Sequence, residues 1–206
     1  MQTIPKYVVG LDVETKSNML NCFILSIGLA VYDVRTLECI DEFYYRIDPK
    51  DPTQEKRHVS EYTLTWWKEW DVNQYAPSKA AYDDTWSGKG NLKEGLTLMG
   101  AFIDKYRNQE NRPPVFITKG PEFDINVINN ALYDTGLFKE IRMGISNQDS
   151  ARTIERAFAA LQLKVQKPKD AIPHTAIGDA KIEGFEGAYF YNLLDRIRDR
   201  GIGGLV

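Results

Sequence analysis

Asp12 and Glu14 stand two residues apart at the end of an apolar run, Asp124 follows a phenylalanine in FITKGPEFDINVI, and His174 precedes Asp179 in HTAIGDAK. Four carboxylates and an imidazole are the groups that metal-assisted phosphodiester hydrolysis uses. Hard divalent cations take oxygen ligands, and two ions roughly 3.5–4 Å apart can hold the attacking and departing oxygens of an in-line displacement. A nearby histidine can take the proton from the attacking water. Residues two apart on a strand project from one face, so Asp12 and Glu14 point the same way. Held that close, two like charges raise each other's proton affinity unless a cation neutralises them. Each residue also has an ordinary use. Asp124 opens a helical segment and could be its N-cap or a first-turn acid. His174 could be a surface histidine beside an aspartate favoured by the helix dipole. A five-residue step at roughly 3.6 residues per turn puts His174 and Asp179 on different faces unless His174 belongs to the preceding loop, a placement that Pro173 supports. The combination, rather than any one residue, points to a nuclease.

These groups come from distant stretches, so the elements between them must bring them together. The run 7–13 reads as a buried strand ending in acids. Segments 23–33 and 39–47 read as two more strands joined by a polar turn at 35–37, which together make an antiparallel meander. Helical spacing marks 64–70, with Ser60 or Thr63 as its cap. Residues 71–90 lose that pattern, carry Pro77, Gly88 and Gly90, and are expected to form a surface loop or lid. Leu92, Leu96, Met99 and Ile103 recur at helical intervals after Asn91 and stop before the polar NQENRPP stretch. A short strand at 115–117, a helix at 125–132 and a long helix at 176–198 complete the reading, with Gly201, Gly203 and Gly204 fraying the tail. Strands followed by alternating strand and helix give an α/β chain with a mixed sheet covered by helices.

With 206 residues, the chain can bury a full core and is expected to form one domain spanning 1–206. It shows neither a secretion signal nor an apolar stretch near the roughly 20 residues that cross a bilayer, so a cytoplasmic protein without membrane attachment is expected. Cys22 and Cys39 lack CxxC spacing, and reduced, packed thiols follow. His58 has no chemical companion and reads as solvated. A net charge of −3 argues against a broad basic surface that coats nucleic acid. An enzyme that grips a few nucleotides through metals escapes that objection. Lys164, Lys167 and Lys169, and Arg196, Arg198 and Arg200, read as a solvated face and as charge at a helix end.

The segments VGLDVET, FITKGPEFDINVI and HTAIGDAK resemble the three exonuclease motifs of the DEDDh family, and the resemblance spans nearly the whole chain. EYTLTWWKEW further resembles the subgroup of the phage exonuclease DexA and the mycobacterial-type 3′-5′ exoribonuclease, matching it at Thr63, Trp66 and Trp67. The resemblance implies an RNase H-like fold: a mixed central sheet with an antiparallel three-strand meander and helices on both faces. It implies two divalent ions, Mg2+ or Mn2+, with Asp12, Glu14 and Asp179 on the one that positions the water, Asp12 bridging, and Asp124 on the second. His174 would be the general base. Thr15, Phe123, Trp66 and Trp67 become candidate substrate contacts, although packing explains Phe123 and at least one tryptophan equally well. The implied activity is removal of nucleoside 5′-monophosphates from the 3′ end of single-stranded DNA or RNA, with DNA slightly favoured by the phage likeness. Two alternatives stay open: a binding module without turnover, and a phosphodiesterase for very short oligonucleotides. Oligomeric state is not legible.

Overall fold

The computed structural model describes residues 4–72, 76–108, 113–120, 122–141, 143 and 147–200. Three strands, β1 (Tyr7–Thr15), β2 (Ile24–Asp33) and β3 (Cys39–Arg46), form the expected antiparallel meander. β4 (Val115–Thr118) then lies parallel to β1, and β5 (Gln148–Ser150) parallel to β4, in the order β3-β2-β1-β4-β5. β1 is therefore a central strand with both faces covered, which is why its sequence is almost continuously apolar.

Alternation along β1 divides the interior in two. Val9, Leu11 and Val13 join a core completed by α3 (Leu92–Asp104) and α4 (Asp124–Asp134), where Leu96, Met99, Ile103, Ile128 and Leu132 are buried. Val8 faces the other way, into a core shared with α5 (Ala151–Ala160) and α6 (Ala176–Arg200) through Ile154, Phe158, Ala180 and Ala188. A third, smaller cluster gathers Phe23, Leu25 and Trp67 under α1 (Glu61–Val72) and α2 (Ala76–Trp86).

Residues 71–90 are the main departure from the expected architecture, because α2 occupies most of the stretch assigned to a loop. Its turns pair Ala81 with Thr85, both fully buried, and Tyr82 with Trp86, stacked at 5.5 Å between ring centroids. Pro77 is its second residue, a first-turn position where a missing N–H costs nothing, and Gly88 and Gly90 fall beyond its end. Residues 73–75, part of NQENRPP and the glycine tail lie outside the described residues. Neither β5 nor α5 was anticipated: three residues of strand are too few for a periodic signal, and α5 is a ten-residue helix whose buried stripe is only Ala151, Ile154 and Phe158. Of the cysteines expected to be packed, Cys22 is buried and Cys39 is exposed. His58 is exposed as expected, but its Nδ1 lies 2.7 Å from Ser17 Oγ in a hydrogen bond.

Backbone contact between α6 and the meander fixes the geometry that matters for chemistry. A Cβ on Gly10 would fall 1.9 Å from the carbonyl oxygen of Ala180, and one on Gly28 would fall 2.2 Å from the carbonyl carbon of Ala176. Only glycine permits this approach. Gly10→Ala is accordingly expected to destabilise the fold by at least ~1–3 kcal/mol, read as a lower urea midpoint. An unchanged midpoint would mean that α6 does not sit on β1 as described.

Candidate active site

Asp12 and Glu14 occupy the end of β1 on the face that Gly10 presents to α6, and Asp179 lies in the first turn of that helix. The three side chains each offer a carboxylate oxygen within 4.8 Å of the others. Local structure at the start of α6 holds Asp179 in place. Thr175 Oγ1 donates to the carbonyl of Ile172 at 2.8 Å and accepts from the Gly178 N–H at 3.1 Å. Gly178 is required there, since a Cβ would meet the Ile172 oxygen at 1.9 Å. His174 precedes the helix with a left-handed backbone, φ 62°, and its N–H donates to Asp179 Oδ2 at 2.9 Å. The loop placement of His174 thus removes the conflict that a continuous helix would have created.

Asp124 is the first residue of α4 and is buried. It is not the cap: Phe123 holds that position, with no side-chain capping bond. Burial pushes the Asp124 carboxyl up to about 7; Asp179 adds to the rise, and backbone hydrogen bonds at Asp124, Val13 and Gly120 oppose it. Asp12 is held well above the usual carboxylate range by burial and then by the charges of Asp124 and Glu14. Burial, Asp179 and Asp124 do the same to Glu14. Asp179 is raised by burial against the pull of the His174 amide and the positive charges nearby. All-oxygen, buried and mutually repelling groups are the donor set that a hard divalent cation satisfies, because the ion supplies the charge the protein lacks.

The substrate candidates also meet. Glu14, Thr15, Trp66, Trp67 and Phe123 line one cavity of about 290 Å3. The adjacent tryptophans divide their roles. Trp67 is 1% exposed and its Nε1 donates to the Thr15 carbonyl at 3.0 Å, which ties α1 to the end of β1. Trp66 turns toward the rim, its ring centroid 6.0 Å from that of His174. The Thr15 hydroxyl donates to the Ser17 carbonyl at 2.8 Å, so this side chain braces the turn after β1. Phe123 is half-buried against the core next to the cavity.

A model of the Rv2179c-like 3′-5′ exoribonuclease domain matches residues 8–184. The chain belongs to this family. No curated protein matches it at the sequence level. Among solved structures, the Rv2179c-like chain resembles the nuclease domain of 3′hExo, described as a DEDDh family member bound to rAMP, at 12% identity and TM-score 0.54 over 93% of both chains. Pop2p of S. pombe, in a form bound to Mg2+ and Mn2+, gives 13% identity and TM-score 0.55 over 97% of this chain and 85% of that one. A product-bound exonuclease I gives 12% and 0.57 over 95% of this chain and 45% of its own. The sheet and its two helical layers are those of the RNase H-like exonuclease fold, and the Rv2179c-like protein is a 3′-5′ exonuclease by family.

Two acids of this Rv2179c-like domain escaped the reading of its sequence. Glu183 and Glu186 follow Asp179 on α6, are 3% and 4% exposed, and each leaves its Oε2 without a hydrogen-bond partner. Burial raises Glu183 well above the ordinary range, with Asp124 and Asp179 adding to it. Glu186 is pushed up to about 7 by burial and then by Glu155. Lys119 counters both, while its Nζ bonds Glu155 Oε1 at 2.6 Å. The signal was present as spacing: positions 179, 183 and 186 share one helical face, a face that otherwise packs on the sheet.

Protonation should therefore govern the stability of the metal-free protein. Asp124 ionises near 3.8 when unfolded and near 7 when folded. Its contribution is unpenalised below about pH 4 and is lost as pH rises toward 7, because the unfolded chain releases its proton first. Without metal, wild type is expected to melt at lower temperature at pH 8 than at pH 5, with Asp124→Asn narrowing the difference, the other raised acids keeping the remainder, and Mg2+ or Mn2+ restoring wild type at pH 8. A wild-type profile matching that of Asp124→Asn, in thermal melts with and without EDTA, would refute this account.

Proposed function

We propose that the protein is a two-metal exonuclease that releases nucleoside 5′-monophosphates from the 3′ end of single-stranded nucleic acid, with His174 as general base. The convergence of Asp12, Glu14 and Asp179, oxygen to oxygen within 4.8 Å, carries this reading. Those three carboxylates would hold one cation, and Asp12 with Asp124 would hold a second. When bound, such ions supply charge neutralisation for an in-line displacement at phosphorus. Mg2+ or Mn2+ is the assignment, supported by the all-oxygen donor set and by the ions in the S. pombe Pop2p structure.

The protein's own groups do the rest. His174, on the rim with its backbone fixed to Asp179, takes the proton from the attacking water. Trp66 and Phe123 flank the cavity beside Glu14 and offer aromatic faces to the terminal base, a contact that tolerates any sequence. The nucleotide bound to the 3′hExo domain supports a nucleotide in this place. The family's description supports RNA as substrate, and the likeness of EYTLTWWKEW to the phage exonuclease subgroup supports DNA. The presence of all five chemical side chains favours turnover over a silent binding module. Site residues drawn from position 12 to position 179 support one domain across the chain. Free thiols at Cys22 and Cys39 support a cytoplasmic setting; no helix among the described residues is long and apolar enough to cross a membrane.

The deciding assay offers 5′-labelled single-stranded DNA, single-stranded RNA and duplex DNA with Mg2+ or Mn2+. A ladder shortening from the unlabelled end is expected, Asp12→Ala abolishing it with the fold intact. His174→Ala should lower the rate by roughly 10²–10⁴. Hydrolysis that persists in Asp12→Ala would reject the assignment.

A further inference from the structure

On the other side of α1 from the acids lies a second cavity, of about 790 Å3, with lysines at 16, 50, 68 and 89 on its walls against a single aspartate, Asp48. In a chain of net charge −3, such a concentration is unusual. Lys50, Lys68 and Lys89 are exposed and make no ion pair among the described residues. A solvated helix face would spread such charges over open surface, whereas here they surround a concavity. Its floor is aromatic. Tyr82 and Trp86, one turn apart on α2, stack with planes 21° apart, and the indole N–H of Trp86 has no hydrogen-bond partner. Lys16 lies 5.4 Å from the Trp86 ring.

Lysines around stacked aromatics match a ligand that alternates negative charge with flat rings, which is a description of single-stranded nucleic acid. The cavity is also next to the candidate active site. Trp67 lines both, and the chain passes from one to the other in a single step, Thr15 lining the first and Lys16 the second. We infer that this groove binds the nucleotides upstream of the 3′ end, their phosphates on Lys50, Lys68 and Lys89 and a base against Tyr82 and Trp86. The inference rests on the exonuclease reading for its direction. It assigns length preference to residues that take no part in hydrolysis.

Binding and hydrolysis test it separately. The probe is a 5′-fluorescein single-stranded decanucleotide, with a labelled dinucleotide as the form too short to reach the groove. Fluorescence anisotropy in EDTA compares wild type with Lys50→Glu/Lys68→Glu/Lys89→Glu and with the milder triple glutamine variant. The charge-reversed protein should bind the decanucleotide at least about tenfold more weakly, and the neutral variant should lose about 2 from the slope of log K against log salt, near 0.7 per phosphate contact. Both should hydrolyse the dinucleotide at the wild-type rate when Mg2+ is added. Decanucleotide affinity and salt slope unchanged in both variants would overturn the groove. Loss of decanucleotide affinity in variants of a wild type that cleaves neither substrate would keep the groove and reject the exonuclease reading. Competition by free mononucleotide as strong as by the strand would overturn the upstream placement in favour of a nucleotide pocket.

Discussion

Helix α6 lies directly on the backbone of β1 and β2, and the rest of the molecule follows from that contact. The approach is possible because Gly10 and Gly28 have no side chains where Ala180 and Ala176 press against the sheet. A larger residue at either place would lift the helix and carry Asp179 away from the strand. Steric permission in the hydrophobic interior thus becomes the positional tolerance of the polar site above it. A displacement of 1 Å, trivial for an apolar interface, is large for oxygens that could surround one ion.

Electrostatics pulls against that packing. Burial raises the proton affinity of Asp12, Glu14, Asp124 and Asp179, and neighbouring carboxylates add to the rise at the first three. Glu183 and Glu186 extend the same negative field along α6; Lys119, just past the end of β4, counters both, and Lys167 counters Glu186 as well. Such a cluster stores free energy that a bound cation would release, and the apolar cores hold the acids together without one. The two cores do this from opposite sides of β1, which makes that strand the common support of both.

The meander, the long last helix and the converging acids were readable because each rests on a local pattern: an apolar run closed by D-x-E, an aspartate at a helix start, a histidine after a proline. α2 was not, because Pro77 and the two later glycines resemble loop punctuation when the aromatic pair Tyr82 and Trp86 is not weighed against them. That pair is half-buried because it packs on the cluster of Phe23, Leu25 and Trp67, a tertiary fact. Glu183 and Glu186 were overlooked for a related reason. Acids at helical spacing are ordinary on a solvated face, and only the contact with the sheet turns them inward. Thr15, marked by its adjacency to the motif, lines the cavity beside Glu14 while its hydroxyl donates to the Ser17 carbonyl.

The turn before α6 separates what the backbone asks of residue 174 from what the side chain offers. A positive φ of 62° is met most easily by glycine, and asparagine would also serve. The amide that binds Asp179 belongs to the main chain and is indifferent to the side group. Conformation and helix initiation therefore give no reason for an imidazole at this place. The imidazole itself stands exposed at the rim with its ring 6.0 Å from that of Trp66, and the fold bears the strain of an L residue in a left-handed turn to hold it there.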